Sequence, residues 1–283
     1  MPGRVRDNVC GMNPTSLGVV RIAVGLLFIQ HGAEKLWGFA GGRIDHNFLT
    51  LRGFAGPLEI LGGSLIILGL FTRVAAFILC GEMAVAYFVA WAGRGFFPIS
   101  NGGEEAVLFS FIYLWLVSAG PGAWSLDRKG PWERKLAAKL NPLESHGRAI
   151  VRVILAFTFM LHGCRHVFGI LSKSAGRAAT VPVAIDSLPA FVGYWEILGG
   201  LLLLVGLWTR PAALVTCVEL FVAYCYAAAP RGIWPIRNGG NEVLLYVTIF
   251  SFLVVCGAGK FSVDSIRSQG RQTAPVRVAA GAA

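Results

Sequence analysis

Apolar residues fall in runs of about 17–22, separated by short stretches where Gly, Pro and charged residues gather. A run of that length is what a helix needs to cross a hydrocarbon layer about 30 Å thick. The first run covers residues 16–37, the second 54–71, the third 74–92 and the fourth about 105–119. A polar stretch, 120–147, intervenes, and the same order then restarts. Arg152 opens a fifth run, the sixth carries Glu196, the seventh Glu219, and an eighth ends in GAGKFSVD (257–264), which answers GPGAWSLD (120–127). The clearest echo sets GPLEILGGSLIILGLFTR (56–73) against GYWEILGGLLLLVGLWTR (193–210), identical at 11 of 18 positions. LHGCRHVFG (161–169) answers HGAEKLWG (31–38), and RGIWPIRNGGNE (231–242) answers RGFFPISNGGEE (94–105).

The pattern predicts an all-α membrane protein of eight transmembrane helices, built as two parallel-repeat four-helix bundles. The units are 1–127 and 149–266, joined by a basic linker at 128–148 and followed by a tail, 267–283, expected to be disordered. Pro57 is expected at the start of the second span, where its missing N–H costs nothing. Four spans per copy is an even number, so both copies run the same way through the bilayer. Their expected arrangement is side by side, a fused version of a homodimer.

Composition agrees with the periodicity. Of 283 residues, 55% are hydrophobic and 14% charged, too greasy for an ordinary soluble chain. The net charge of +10 does not indicate nucleic acid, because no basic cluster is interleaved with aromatics. Lys and Arg gather instead in the N-terminal segment, the linker, the Thr-Arg turns at 72–73 and 209–210 and the C-terminal tail. That distribution predicts a multi-pass protein of the bacterial plasma (inner) membrane with both termini cytoplasmic. The first span is read as retained, since no small-residue cleavage site follows Arg4 and Arg6. Six cysteines form no CxxC pair and read as small hydrophobes within spans.

Charge inside such spans is the exception that points to chemistry, because a carboxyl in hydrocarbon needs a partner or a purpose. Glu59 and Glu196 lie in the first turns of the repeated block, and Glu82 and Glu219 sit near the middle of the next span. His31 and Lys35 are four apart and share a helix face. Each unit is therefore expected to hold an outward-opening polar pocket. Glu59, His31, Glu196 and His162 are the candidate catalytic groups. Lys35, Glu82, Tyr87, Asn101, Glu105, Glu219, Tyr224, Asn238 and Glu242 are the candidate binding groups, with His166 standing at the Lys35 position of the second copy. Glu59 and Lys35 also fit a purely structural ion pair. No metal-ligand spacing is present. No cofactor is fixed: a quinone is compatible with the pocket, and haem is disfavoured because each half supplies one repeated histidine.

HGAEKLWG, the EILGG block, GEMAVAYF (81–88), FFPISNGGEEAVLF (96–109) and GPGAWSLD, in that order and again in weaker form, resemble the DoxX family. The resemblance implies four-helix membrane units, some associated with thiosulfate:quinone oxidoreductase or with membrane redox complexes that resist oxidative stress. By position, the family's HGxxK falls on His31 and Lys35, its ELLGG glutamate on Glu59 and its mid-span glutamate on Glu82. The second copy keeps His162, Glu196 and Glu219 but departs at Arg165 and His166, and it reads NGGNE for NGGEE. The reading that follows is a membrane subunit of a quinone-linked redox system, an oxidoreductase component acting with a soluble partner protein. A proton-coupled solute transporter and a non-catalytic membrane scaffold are the alternatives.

Overall fold

The computed structural model describes residues 13–127, 130–170 and 187–273, and no strand occurs among them. Arg4, Arg6, Cys10, Arg128, Lys129 and residues 274–283, on which part of the topology argument rests, lie outside the described residues. The first half comprises α1 (Pro14–Trp37), α2 (Leu51–Leu68), α3 (Thr72–Ala90), a single turn α4 (Pro98–Asn101) and α5 (Glu104–Ala119). The linker forms α6 (Pro131–Leu140). The second half repeats the series as α7 (Glu144–Phe168), α8 (Leu188–Val205), α9 (Thr209–Ala223), α10 (Pro235–Asn238) and α11 (Asn241–Cys256), and α12 (Val263–Thr273) closes it.

Among the described residues, five helical stretches are long and apolar enough to cross a membrane: Pro14–Trp37, Leu51–Leu68, Thr72–Arg94, Pro131–Phe168 and Thr209–Arg231. The expected fourth and eighth spans, α5 and α11, have 16 residues each, about 24 Å of helix at 1.5 Å per residue, and the expected sixth, α8, is also among the shorter apolar helices, over Ala190–Val205. The single turns α4 and α10 precede them, broken off by left-handed Gly102 and Gly239.

Pro57 and the C-terminal stretch differ from expectation. Pro57 lies inside α2 rather than at its start, because Thr50 caps the helix two turns earlier by accepting from the Gly53 N–H. The residue whose carbonyl faces the proline ring is Gly53, which has no side chain to add to the crowding. In the linker, α6 is held to the bundle where Arg73 Nε donates to Glu133 Oε1 at 2.9 Å. Arg73 also reaches the Asn141 side chain at 2.6 Å. α12 carries helix to Thr273, into the stretch expected to be disordered.

Packing follows the repeat. α1 lies along α2 and α7 along α8, while α3 packs on α5 and α9 on α11. Close approach needs glycine here: a Cβ on Gly32 would stand 2.8 Å from the Gly56 carbonyl oxygen, and one on Gly163 would stand 2.6 Å from that of Gly193. Between the halves, α1 meets α11 and α7 meets α5. The first helix of each half therefore rests on the last long helix of the other, the exchange a side-by-side pair requires.

Two buried arginines fix the opposite end. Arg21 donates to the carbonyls of Pro121 (2.7 Å), Ile66 (2.6 Å), Ala123 (3.0 Å) and Trp124 (2.9 Å). Arg152 does the same for Ala258 (3.1 Å) and Phe261 (2.8 Å). Beside them, Asp127 and Asp264 reach back to accept from the first backbone N–H of α3 and of α9, Thr72 and Thr209, at 2.8 Å. A carboxylate at a helix N-terminus is favoured electrostatically. Arg21→Met should lower the unfolding free energy in detergent by about 3 kcal/mol or more, because several buried carbonyls lose their donor together. A chemical-denaturation series read by tryptophan fluorescence tests this, and an unchanged midpoint would refute it.

Candidate functional site

In the first half, α1 and α2 bring Lys35 onto Glu59. Glu59 is almost wholly buried, and Lys35 donates to its Oε1 while Oε2 has no hydrogen-bond partner. This pair sits at the meeting point of two cavities. A polar cavity of about 180 Å³ is bordered by His31, Glu34, Lys35, Arg52, Glu59 and Glu105. An apolar cavity of about 490 Å³ lies between α2 and α3, walled by Phe54, Leu58, Ile78, Val85 and Val89, with Glu82 in its lining. Lys35, Arg52, Ala86 and Trp91 border both. Phe54, Ile78, Val85 and Val89 are exposed on the outer surface of the helices, so the larger cavity opens toward the surroundings of the bundle rather than into its core.

Glu82 is the anomaly in this wall. Both of its carboxylate oxygens are buried and neither has a hydrogen-bond partner. At Gly81, the residue before it on α3 and part of the same cavity lining, an added Cβ would meet nothing within 4 Å. A buried acid without a protein partner is costly, and the adjoining cavity is where a partner of another kind can come from.

The remaining expected residues divide. Asn101 and Asn238 do not point their amides at a cavity. Each donates to a tyrosine hydroxyl (Tyr87 at 3.2 Å, Tyr224 at 3.3 Å) and to a glycine carbonyl (Gly95 at 2.9 Å, Gly232 at 2.8 Å). Each also accepts from the N–H two residues on, at 2.8 Å. Their polar atoms, with Tyr87 and Tyr224, are used in building the NGG turns. In the second half Glu196 lies 2.8 Å from His166 Nδ1, the counterpart of the Glu59–Lys35 pair. Glu219 keeps one buried oxygen without a partner.

The two repeated histidines do not stay within their own units. His162 Nε2 is 2.7 Å from Glu104 Oε1 of the first half, and Arg165 Nη2 is 2.9 Å from His162 Nδ1. The Tyr246 hydroxyl donates to the same Glu104 oxygen at 2.6 Å and lies 2.7 Å from Thr158 Oγ1. Across the mirror position, Asn241 Nδ2 of the second half is 2.9 Å from His31 Nε2, which also lies 3.6 Å from Glu105 Oε2. Glu242 joins Glu104 and His162 in one cluster. Sequence reasoning placed Glu105 rather than Glu104 in the site and did not single out Tyr246 or Thr158. The signal was the exchange of Glu104 for Asn241 between the copies, which marks a position facing different chemistry in each.

A family model described as DoxX matches residues 16–92 and 147–229, once in each half. An uncharacterized protein of Haemophilus influenzae is 46% identical over 132 residues, spanning 44% of this chain and 96% of that one. An uncharacterized membrane protein of Mycobacterium tuberculosis is 30% identical over 133 residues, spanning 41% of this chain and 82% of its own. Inner membrane protein YqjF of Escherichia coli is 32% identical over 114 residues, spanning 39% and 88%. Each relative thus has about the length of one half, as a tandem duplication requires. No solved structure matches the chain.

Removing Lys35 strands a buried carboxylate. Lys35→Met should cost about 3–5 kcal/mol of stability, and Lys35→Met with Glu59→Met should recover most of it. A double-mutant cycle by denaturation in detergent measures this, and additive losses would show that the two groups are not coupled.

Proposed function

The chain belongs to the DoxX family, and on that premise we propose that it is the membrane subunit of a quinone-linked redox system of the bacterial inner membrane. In this reading eight spans form two four-helix units with both termini cytoplasmic, and the first half carries the active pocket. The ligand is an amphiphile with a quinone-like head and an apolar tail, drawn laterally from the bilayer. The observation that carries the reading is the junction of an apolar cavity of about 490 Å³ with a polar one of about 180 Å³ at Lys35, Arg52 and Trp91, beside the unpartnered carboxyl of Glu82.

The division of labour follows from the linings. The aliphatic and aromatic walls on α2 and α3 take the tail, and Trp91 at the end of α3 flanks the entry to the polar space. Lys35 and Arg52 offer cationic donors to a head-group oxygen. Reduction of the quinone to quinol takes two electrons, supplied by a soluble partner protein, and two protons. Glu82, as the acid facing the cavity, delivers protons to the head. His31 and Glu59 border the polar cavity and connect it to the outer mouth at Glu105. The His166–Glu196 pair gives the second half a different polar centre, so the halves do not share one task. The name of the Escherichia coli relative, an inner membrane protein, supports the location.

The test is photolabelling of the purified full chain in nanodiscs with an azido-quinone, with unlabelled quinol as competitor. Labels should fall on α2 and α3. Gly81→Leu, at a cavity-lining position where an added Cβ meets nothing within 4 Å, should abolish labelling while the protein stays folded. In the presence of its redox partner, Glu82→Gln should slow quinone reduction by about 10²-fold or more, the usual contribution of a positioned acid. Labelling that no quinol displaces, or that Gly81→Leu leaves unchanged, would refute the assignment.

A further inference from the structure

We propose that Glu104, His162 and Glu242 bind one divalent first-row transition-metal ion, so that a cation bridges the two halves of the chain. One oxygen of Glu104, one ring nitrogen of His162 and one oxygen of Glu242 all lie within 4.8 Å of one another, and Nε2 is the His162 nitrogen that faces Glu104, 2.7 Å from its Oε1. Donors held about 2.0–2.2 Å from a common ion stand about 3–4 Å apart, so small side-chain rotations close the cluster onto an ion. The donor set, two carboxylates and an imidazole, suits manganese, ferrous iron or zinc rather than a soft thiophilic ion.

The second observation is the state of Glu104. It is the first residue of α5 and is wholly buried, and its Oε2 has no hydrogen-bond partner although Oε1 is approached by both His162 and Tyr246. A carboxylate with a buried, unused oxygen beside an imidazole and a second carboxylate has acceptor capacity that a cation uses. The site is also composite: Glu104 comes from one half, and His162 and Glu242 come from the other. Neither half alone contains it.

The mirror position supplies an internal control. There His31 stands for His162, Glu105 for Glu242, and Asn241 for Glu104. Asn241 Nδ2 lies 2.9 Å from His31 Nε2 and Glu105 Oε2 lies 3.6 Å from it. The same geometry thus recurs with an amide in place of one carboxylate, which removes one anionic ligand. The chain accordingly has one strong site and one vestigial one.

Arg165 sets a further, specific expectation. Its Nη2 is 2.9 Å from His162 Nδ1, and guanidinium only donates, so the ion-free histidine carries its proton on Nε2. A metal takes Nε2 and moves that proton to Nδ1, where ligating histidines normally donate to an acceptor. Arg165 must then swing away, and it weakens the site by competing with the metal-bound form. Glutamine at this position can accept instead.

Mn2+ binding by the full-length protein in nanodiscs, followed by electron paramagnetic resonance and by elemental analysis after desalting, tests the proposal. The unmodified chain should hold one Mn2+, and Glu104→Gln none. Asn241→Glu should raise the count to two, and Arg165→Gln should tighten the first ion about 10-fold. The gain of a second ion keeps the test decisive should Glu104→Gln fail to fold. An unmodified chain that holds no Mn2+, or occupancy indifferent to Glu104→Gln and Asn241→Glu, would overturn it.

Discussion

Hydrocarbon solvates neither a carboxylate nor a backbone carbonyl, and the architecture of this chain is organised by where each buried polar group finds its counterpart. At one end of the helices, Arg21 and Arg152 gather carbonyls from the last turn of α2 and from the turns after α5 and α11. Asp127 and Asp264 supply the complementary acceptors for the free N–H groups that begin α3 and α9. In the membrane-facing body, Lys35 meets Glu59 and His166 meets Glu196. These partners come from distant segments, so satisfying them fixes the order in which helices lie against each other.

Several buried carboxylate oxygens nonetheless lack a hydrogen-bond partner, one each on Glu59, Asp127, Glu133 and Glu219 among them, and two further acids stand where the proposals place a ligand. Glu82 stands in a cavity wall with both oxygens unused. Glu104 uses one oxygen twice and leaves the other buried and idle. Under the two proposals each is completed by something the protein alone does not supply, a head group in one case and a cation in the other. The two features are separate in space and composition. One is walled by α2 and α3 of a single half, whereas the other joins α5 to α7 and α11 and depends on the duplication.

Duplication frees the copies from equivalence. A homodimer would present the same residue at Glu104 and Asn241 and the same residue at Lys35 and His166. In one chain each can change independently, and the present sequence has used that freedom at the positions where the halves touch and where the buried acids are paired. The turns, by contrast, are held in common: Phe71 and Trp208 take left-handed backbone conformations at equivalent places, as do Trp124 and Phe261. Strain of this kind in non-glycine residues persists only where the surrounding contacts hold it, here the arginine and aspartate anchors of each half.

The hydrophobic periodicity by itself determined that the chain is helical, membrane-embedded and repeated, because helix length and acid placement are local quantities that a linear reading measures. The Glu59–Lys35 pair is one of two readings the sequence leaves open for Glu59, and the packing of α1 on α2 brings the two groups together. What only the tertiary structure decided is which half each side chain serves. His31 and His162 look like members of their own units in sequence, yet the crossing of α1 over α11 and of α7 over α5 carries them to the junction. Asn101 and Asn238 look like ligand contacts, yet the turn consumes their amides first. Depth along a helix is written in the chain; the rotation of that helix about its axis depends on side-chain packing between segments more than a hundred residues apart, which no spacing rule encodes.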